Sequence, residues 1–382
     1  MTTSATPTTD TAPRIALFRP EICEEAIAAV GEVLRSGWLG LGPKTVAFER
    51  AFASYIGAPF CVGVNSATSA LHLALRLLDL PEGSEVISTP LTFISTNHVI
   101  LYERCRPVFA DVQPRTGNLD VASIRKHITD KTKAIMLVHV GGYPCDLDEI
   151  YALAREHNLP VVEDCAHAAG SLYHGRRIGS HGGGRDTQCF SFQAVKNLPM
   201  GDGGMVATRS ADWDGRLRRL RWLGISADTY SRTGRLAYKW EYDITEVGFK
   251  YHMNDIQGAI GLAQLAILDR DNARRREIAQ RYHRELAGVP GITIPKYGED
   301  RASSYHLAII FAEKRNALAD KLRTHNIDTG VHYRRNDEYR MYEKQDLPGV
   351  AWFGDRAMSL PLHMHLTDEH VGLVIEAIKA GW

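Results

Sequence analysis

Short apolar runs alternate with longer segments in which apolar residues recur at helical spacing, and this alternation organises the first two thirds of the chain. Residues 61–64, 86–88, 107–111, 134–138, 159–162, 189–192 and 205–208 read as strands, most of them apolar enough to be buried on both faces. Segments 21–36, 48–56, 70–78, 90–102, 121–127 and 147–157 read as helices, the first stopping at Gly37. Strands separated by helices predict a mostly parallel sheet with right-handed crossovers, an α/β fold. A long helix is expected from about Asn254. Beyond about residue 270 the pattern changes: charged helices at 273–286, 314–326 and 367–380 alternate with strand signal around 304–311, an α+β reading. The expected organisation is a disordered tail over 1–13, a large domain over 14–268 and a small C-terminal domain over 269–382, with the opening helix packed on the small domain. Segment 229–240, polar and aromatic, is expected to be a lid or intersubunit loop.

Composition adds mainly exclusions. The 382 residues, 44% hydrophobic and 24% charged, suit a soluble globular chain of two domains. Zero net charge argues against a general nucleic-acid or anionic-membrane surface. No apolar stretch approaches the ~20 residues of a membrane span. The opening MTTSATPTTDTAP lacks the basic start and apolar core of a signal peptide. The cysteines at 23, 61, 105, 145, 165 and 189 form no paired spacing, so they read as reduced thiols in a cytoplasmic protein.

Candidate chemistry gathers between residues 161 and 208. The run 159–162 meets Glu163 and Asp164 at its carboxyl end, where open α/β sheets bind ligands. Lys196 follows the strand 189–192 by four residues and precedes the permissive glycines of 201–204. Alone, an Asp reads as a turn cap and a Lys as a solvated charge. Together they suit pyridoxal phosphate, which needs an amine for its aldehyde and an anion for its ring nitrogen. Residues 65–69, small and polar before a helix, read either as an ordinary N-cap or as a phosphate seat. Phe93 by itself is a core aromatic and Asn254 an N-cap. The glycines of 179–186 fail the dinucleotide context, since no helix follows a first strand there, and read as a flexible connection. Arg216, Arg218, Arg219 and Arg221 read as a solvated or salt-bridged helix face, and His139 either approaches the site from the end of its strand or is a packed or satisfied histidine. His363 and His365 have no carboxylate or cysteine cluster beside them, so no metal is expected.

The segments E-D-C-A-H-A, C-F-S-F-Q-A-V-K-N and G-D-G-G-M-V resemble those of the DegT-type nucleotide-sugar aminotransferases, which are fold type I enzymes of pyridoxal phosphate. The resemblance extends from W-L-G-L-G-P near residue 40 to S-L-P-L-H near 360. It implies a large domain with a mostly parallel seven-stranded sheet, a smaller C-terminal domain, and pyridoxal 5'-phosphate as cofactor, cycling through pyridoxamine phosphate. By this likeness Lys196 is the Schiff-base lysine and Asp164 the partner of the ring nitrogen. His167 neighbours the ring and its 3-hydroxyl, in a place where the family often has Gln. Ser66, Ala67, Thr68 and Ser191 bind phosphate, Phe93 stacks on the ring, and Asn254 reaches the phosphate of the other subunit in a homodimer with shared sites. His332 and Tyr333 lie on the substrate side. The implied reaction moves an amino group from an amino acid, glutamate, to a keto sugar on a nucleotide. A dehydratase or lyase on the same substrates and an idle nucleotide-sugar-sensing homologue remain alternatives; the dehydratase branch has His in place of the lysine.

Overall fold

The computed structural model describes residues 14–226 and 242–382, so the expected tail over 1–13 and the expected lid over 229–240 lie outside the described residues. Its first strands are β1 (Phe60–Val64), β2 (Glu85–Ser88), β3 (Arg106–Phe109), β4 (Thr132–Val138), β5 (Val161–Asp164), β6 (Leu172–Tyr173), β7 (Arg176–Arg177), β8 (Thr187–Ser191) and β9 (Gly204–Thr208). Seven of these form one sheet in the order β1-β9-β8-β5-β4-β2-β3. The β3-β2, β2-β4, β4-β5 and β5-β8 pairs are parallel, and β9 runs antiparallel to β8 and β1. The mostly parallel α/β architecture is borne out.

Alternate residues of the central strands enter opposite cores, as the two-residue period of a strand requires. Ile135, Leu137 and Phe190 pack with Phe48, Phe52 and Ile150 on one face, whereas Met136, Val162 and Cys189 pack with Leu71, Leu73 and Leu217 on the other. Another core lies around β10 (Ile292–Thr293), β12 (Ala308–Ala312) and β13 (Ala357–Leu360), with helices Arg315–Thr324 and Asp368–Lys379 against it. The short strand β11 (Arg301–Ala302) pairs instead with β6.

One helix, Asp255–Leu286, joins these cores, giving Leu268 to the first and Ile278, Ala279 and Tyr282 to the other. The separate helix expected at 273–286 is its second half. The charged stretch before it does not break the helix because its charges have partners: Asp269 accepts from Arg177 Nη2 at 2.7 Å and from Tyr55 Oη at 2.6 Å. The opening helix, Glu24–Ser36, packs against this long helix, and its end at Gly37 has φ 74.

Other differences have local causes. The helix expected from Pro90 begins at Ser95, because the Pro90 and Thr92 carbonyls accept from Asn336 instead of from a helical turn. The strand signal around 304–311 is realised only from Ala308 onward, and residues 303–307 form a loop with Tyr305 at φ 48. The helix Pro348–Arg356 and β13 carried no sequence expectation. The basic helix ends at Leu220, and of the two readings of its arginines the salt-bridged one holds for Arg216, Arg218 and Arg221. Arg221 is 2% exposed and donates to Glu49 and to the Gly63 carbonyl, while Arg218 reaches Glu49 Oε2 at 2.8 Å. Glu49 also accepts from the Gly63 N–H at 2.9 Å, so this buried group ties the basic helix to β1.

Candidate active site

The strand β1 leads through Asn65 into the helix Ala67–Arg76. Ser66 caps that helix, its Oγ accepting from the Ser69 N–H at 3.1 Å. The N–H groups of Ala67 and Thr68 have no intrahelical partner and mark a positive helix end suited to a dianion. Gly204 lies behind this turn; a Cβ there would overlap the Ser66 carbonyl and the Ala67 nitrogen. Ser66, Ala67, Thr68, Ser191 and Gly203 line one end of a cavity of about 380 Å³. That size falls within the ordinary range for small-molecule sites.

Asp164 and Lys196 line the same cavity. Asp164 lies inside β5, two positions beyond the strand end expected from the apolar run, because its carboxylate is satisfied there. Oδ2 accepts from Thr96 Oγ1 at 2.7 Å and Oδ1 from the Ala166 N–H at 3.0 Å. Since the Thr96 proton goes to Asp164, Thr92 Oγ1 is the donor across the 2.8 Å contact to Thr96. Burial raises the Asp164 carboxyl, opposed by the hydrogen bonds from Thr96 and Ala166 and by the charge of Lys196. Lys196 sits on the loop between β8 and β9, and burial lowers its amine to about 8, against the pull of Asp164.

Glu163 takes the opposite side of β5, as strand alternation dictates. It accepts from His139 Nε2 at 2.9 Å, from Tyr151 and from Gln188 at 2.8 Å. His139 Nδ1 takes the Cys145 N–H at 3.1 Å, so His139 is the packed histidine that its surroundings suggested. His139, Glu163 and Cys165 are close enough for a metal ion, but hydrogen bonds already occupy His139 and Glu163. Nε2 of His363 meets the Ala16 carbonyl at 3.1 Å.

Aromatic and imidazole rings wall the rest. His167 Nδ1 accepts from the Gly141 N–H at 3.3 Å, which leaves the proton on Nε2, 3.0 Å from Tyr333 Oη. The Tyr333 hydroxyl proton is thereby free to point elsewhere. Burial, then the charge of Lys196, drives His167 well below the usual imidazole range, so it works as a neutral donor. Phe93 is 57% exposed at the mouth, with its ring centroid 5.8 Å from that of Tyr333. His332 lines the cavity with Nδ1 2.9 Å from Ser359 Oγ, and burial pushes its pKa down to about 4.

Thus Ser66, Ala67, Thr68, Phe93, Asp164, His167, Ser191, Lys196, His332 and Tyr333 come together, and Asn254 does not. Asn254 Oδ1 caps its own helix from the Gln257 N–H at 3.0 Å, with the Gln257 side chain returning to the Asn254 N–H. The glycine-rich loop is a hydrogen-bonded turn, Asp186 Oδ2 accepting from the Gly183 N–H at 2.6 Å. Thr96, Phe18 and His306 are among the residues in or beside the site that escaped the sequence reading. Thr96, whose hydroxyl orients Asp164, sits on a helix face with no special spacing. Phe18 lies in the segment before the opening helix. His306 was hidden in a presumed strand, although Y-H-L after two serines at 303–304 was a turn signal available to see.

The donor set fits pyridoxal phosphate: a helix start cleared by Gly204, a buried carboxylate and a buried amine near neutrality in one chamber. Comparisons agree with this fit. SpsC, the spore coat polysaccharide biosynthesis protein of Bacillus subtilis, is 39% identical over 376 residues, covering 94% of this chain and 95% of that one. The sugar aminotransferase CalS13 of Micromonospora echinospora superposes with a TM-score of 0.89 at 37% identity, covering 96% of this chain and all of the other. The PLP-form of Spr1654 from Streptococcus pneumoniae gives 0.89 at 32% identity, with 96% and 98% coverage. Residues 20–379 match the DegT/DnrJ/EryC1/StrS aminotransferase family, and the chain belongs to it.

Proposed function

We propose that this chain uses pyridoxal phosphate to transfer an amino group from L-glutamate to a nucleotide-linked keto-deoxy sugar, a dTDP-4-keto-6-deoxyhexose, in amino-sugar biosynthesis. The observation that carries the reading is the chamber shared by the Lys196 amine and the Asp164 carboxylate. The cofactor, when bound, supplies an aldehyde that carries the amino group and an electron-poor ring that spreads the charge left by a departing C–H proton. Asp164, held by Thr96 and Ala166, would partner the ring nitrogen and keep it protonated. His167 would offer its Nε2 proton to the ring hydroxyl, shared with Tyr333. Ser66, Ala67, Thr68 and Ser191 hold the phosphate. Asn254, whose Oδ1 is spent on capping, extends its Nδ2 to the phosphate in a second copy, so the active form is a homodimer. Lys196 would hold the cofactor's aldehyde and, once released from it, would carry the proton between the two carbons that flank the transferred nitrogen, in both halves of a ping-pong cycle. The enclosing rings of Phe93, Tyr333 and His332 limit water at that carbon.

The direct test incubates the protein with pyridoxal phosphate, glutamate and a panel of nucleotide-linked 3-keto and 4-keto sugars. Sugar-dependent release of 2-oxoglutarate is expected with a 4-keto member, and release with none of them overturns the reading. Two further outcomes follow from the site. Asp164→Asn keeps the shape and loses the charge, and should lower kcat by about 10²- to 10³-fold while cofactor still binds. Uptake of pyridoxal phosphate by the cofactor-free chain needs the neutral amine. Its rate should therefore rise with pH and level off above about 8, where Lys196 has lost its proton, and not continue climbing as it would for an exposed lysine at 10.5. Stopped-flow absorbance measures both the rate and its midpoint.

A further inference from the structure

We infer that His306 is a positioning residue for Lys196, its Nε2 lone pair holding the lysine amine against the His167 side of the chamber; the inference rests on the aminotransferase reading. The contact is Lys196 Nζ to His306 Nε2 at 3.5 Å. Which atom donates is settled by neighbours remote in sequence. Asn197 Nδ2 donates to Asn272 Oδ1 at 2.7 Å and to the Ser304 carbonyl at 2.9 Å. Asn197 Oδ1 is therefore the atom 3.1 Å from His306 Nδ1, and as an acceptor it requires the proton on Nδ1. Asn272 is fixed in turn by donation from Nδ2 to the Ala169 carbonyl at 2.9 Å. His306 Nε2 is left as a bare lone pair facing an amine that has only donors when charged.

The ring that carries this lone pair has little freedom. His306 is 1% exposed and stacks between Phe18, with centroids 5.8 Å apart and planes 7° apart, and His167, at 4.4 Å and 29°. Several other groups around Lys196 already have partners. Asp164 accepts from Thr96 and Ala166, His167 is placed between Gly141 and Tyr333, and His332 Nδ1 meets Ser359. Burial, followed by the charge of Lys196, keeps His306 well below the usual imidazole range, so it does not compete with the lysine for the proton. It orients the amine and supports its charged form. An amine without this acceptor would lose its proton more easily and swing away from the reacting carbon.

The test compares His306→Phe, which keeps a flat ring and loses the acceptor, with His306→Gln, which keeps an acceptor. Cofactor-free full-length protein is mixed with pyridoxal phosphate across pH, and the uptake rate is followed in the visible. The Phe variant should shift the midpoint down by about one pH unit from the wild-type value, the scale of one hydrogen bond to a charged group. The Gln variant should stay within a few tenths of a unit of wild type. In steady state the Phe variant should lose about 10- to 100-fold in kcat with both KM values within about twofold, and Gln should recover most of that loss. Equal midpoints for wild type and Phe, or equal impairment of Phe and Gln, would overturn the inference, since packing alone produces either result. If His306→Phe does not fold, His306→Leu gives the same contrast. Failure of the wild-type chain to take up the cofactor through Lys196 would instead sink the aminotransferase reading.

Discussion

Replacing Lys196 by alanine is expected to lower kcat about 10³- to 10⁴-fold, the upper range for loss of a positioned acid-base group. The size of the effect follows from the surroundings of the amine. The remaining nitrogen bases in the chamber are imidazoles, and burial holds His167, His306 and His332 well below the usual imidazole range, so they are far weaker bases than the lysine amine. Asp164 is directed by Thr96 and Ala166, so it cannot move the proton in place of the lysine. The same variant should still bind pyridoxal phosphate through the helix start at Ala67, but without a covalent bond, so dialysis should remove it and the visible band should differ from wild type. Folding should survive, because the substitution removes a buried amine whose burial already opposed its charge. Wild-type turnover in Lys196→Ala with full cofactor loading would show that another group moves the proton.

Glu49→Ala is expected to cost about 3–5 kcal/mol of folding stability, a large share of the roughly 5–15 kcal/mol available to a folded protein. Glu49 is buried and receives Arg221, Arg218 and the Gly63 N–H. Removing it leaves the Arg221 guanidinium inside the protein with the Gly63 carbonyl as its remaining side-chain hydrogen-bond partner among the described residues. Burial alone would raise the Glu49 carboxyl, and the coulombic pull of Arg221 and Arg218 outweighs it, holding the group below its ordinary value. With a depressed folded-state value, the stabilisation is complete above the ordinary glutamate range and is lost as pH falls through it. The difference between wild type and Glu49→Ala in denaturant unfolding should therefore shrink on acidification. A difference below about 1 kcal/mol at neutral pH would place Glu49 among surface pairs of little worth. Because Gly63 lies in β1, just before Ser66, the loss should also loosen the phosphate seat and weaken cofactor binding.

Much of this site was legible in local pattern. Apolar runs between helical periods required a parallel sheet, and such a sheet puts ligands beyond the carboxyl ends of its strands. Ser66 before an apolar helical run marked a cap, and the order of Asp164, Lys196 and the glycines of 201–204, with the family resemblance, marked the chemistry. Local pattern misled where a charge took its environment from a distant residue. Arg221 had the composition of a solvated face, yet Glu49, far away in sequence, draws it into the core. The charged stretch near 270 suggested a break in a helix that Tyr55 and Arg177 instead help to pin.

By itself, the sequence determined the layered architecture, the capped helix start after β1 and the acid-lysine pair, because periodicity, capping and strand ends are properties of neighbouring residues. Only the tertiary structure decided that Asp164 faces the chamber with Thr96 while Glu163 turns to His139, and that His306 presents a lone pair to Lys196. Those assignments depend on hydrogen-bond partners separated by dozens to more than a hundred positions, and a proton's place on a ring or the charge of a buried amine is set by such partners and not by adjacent residues.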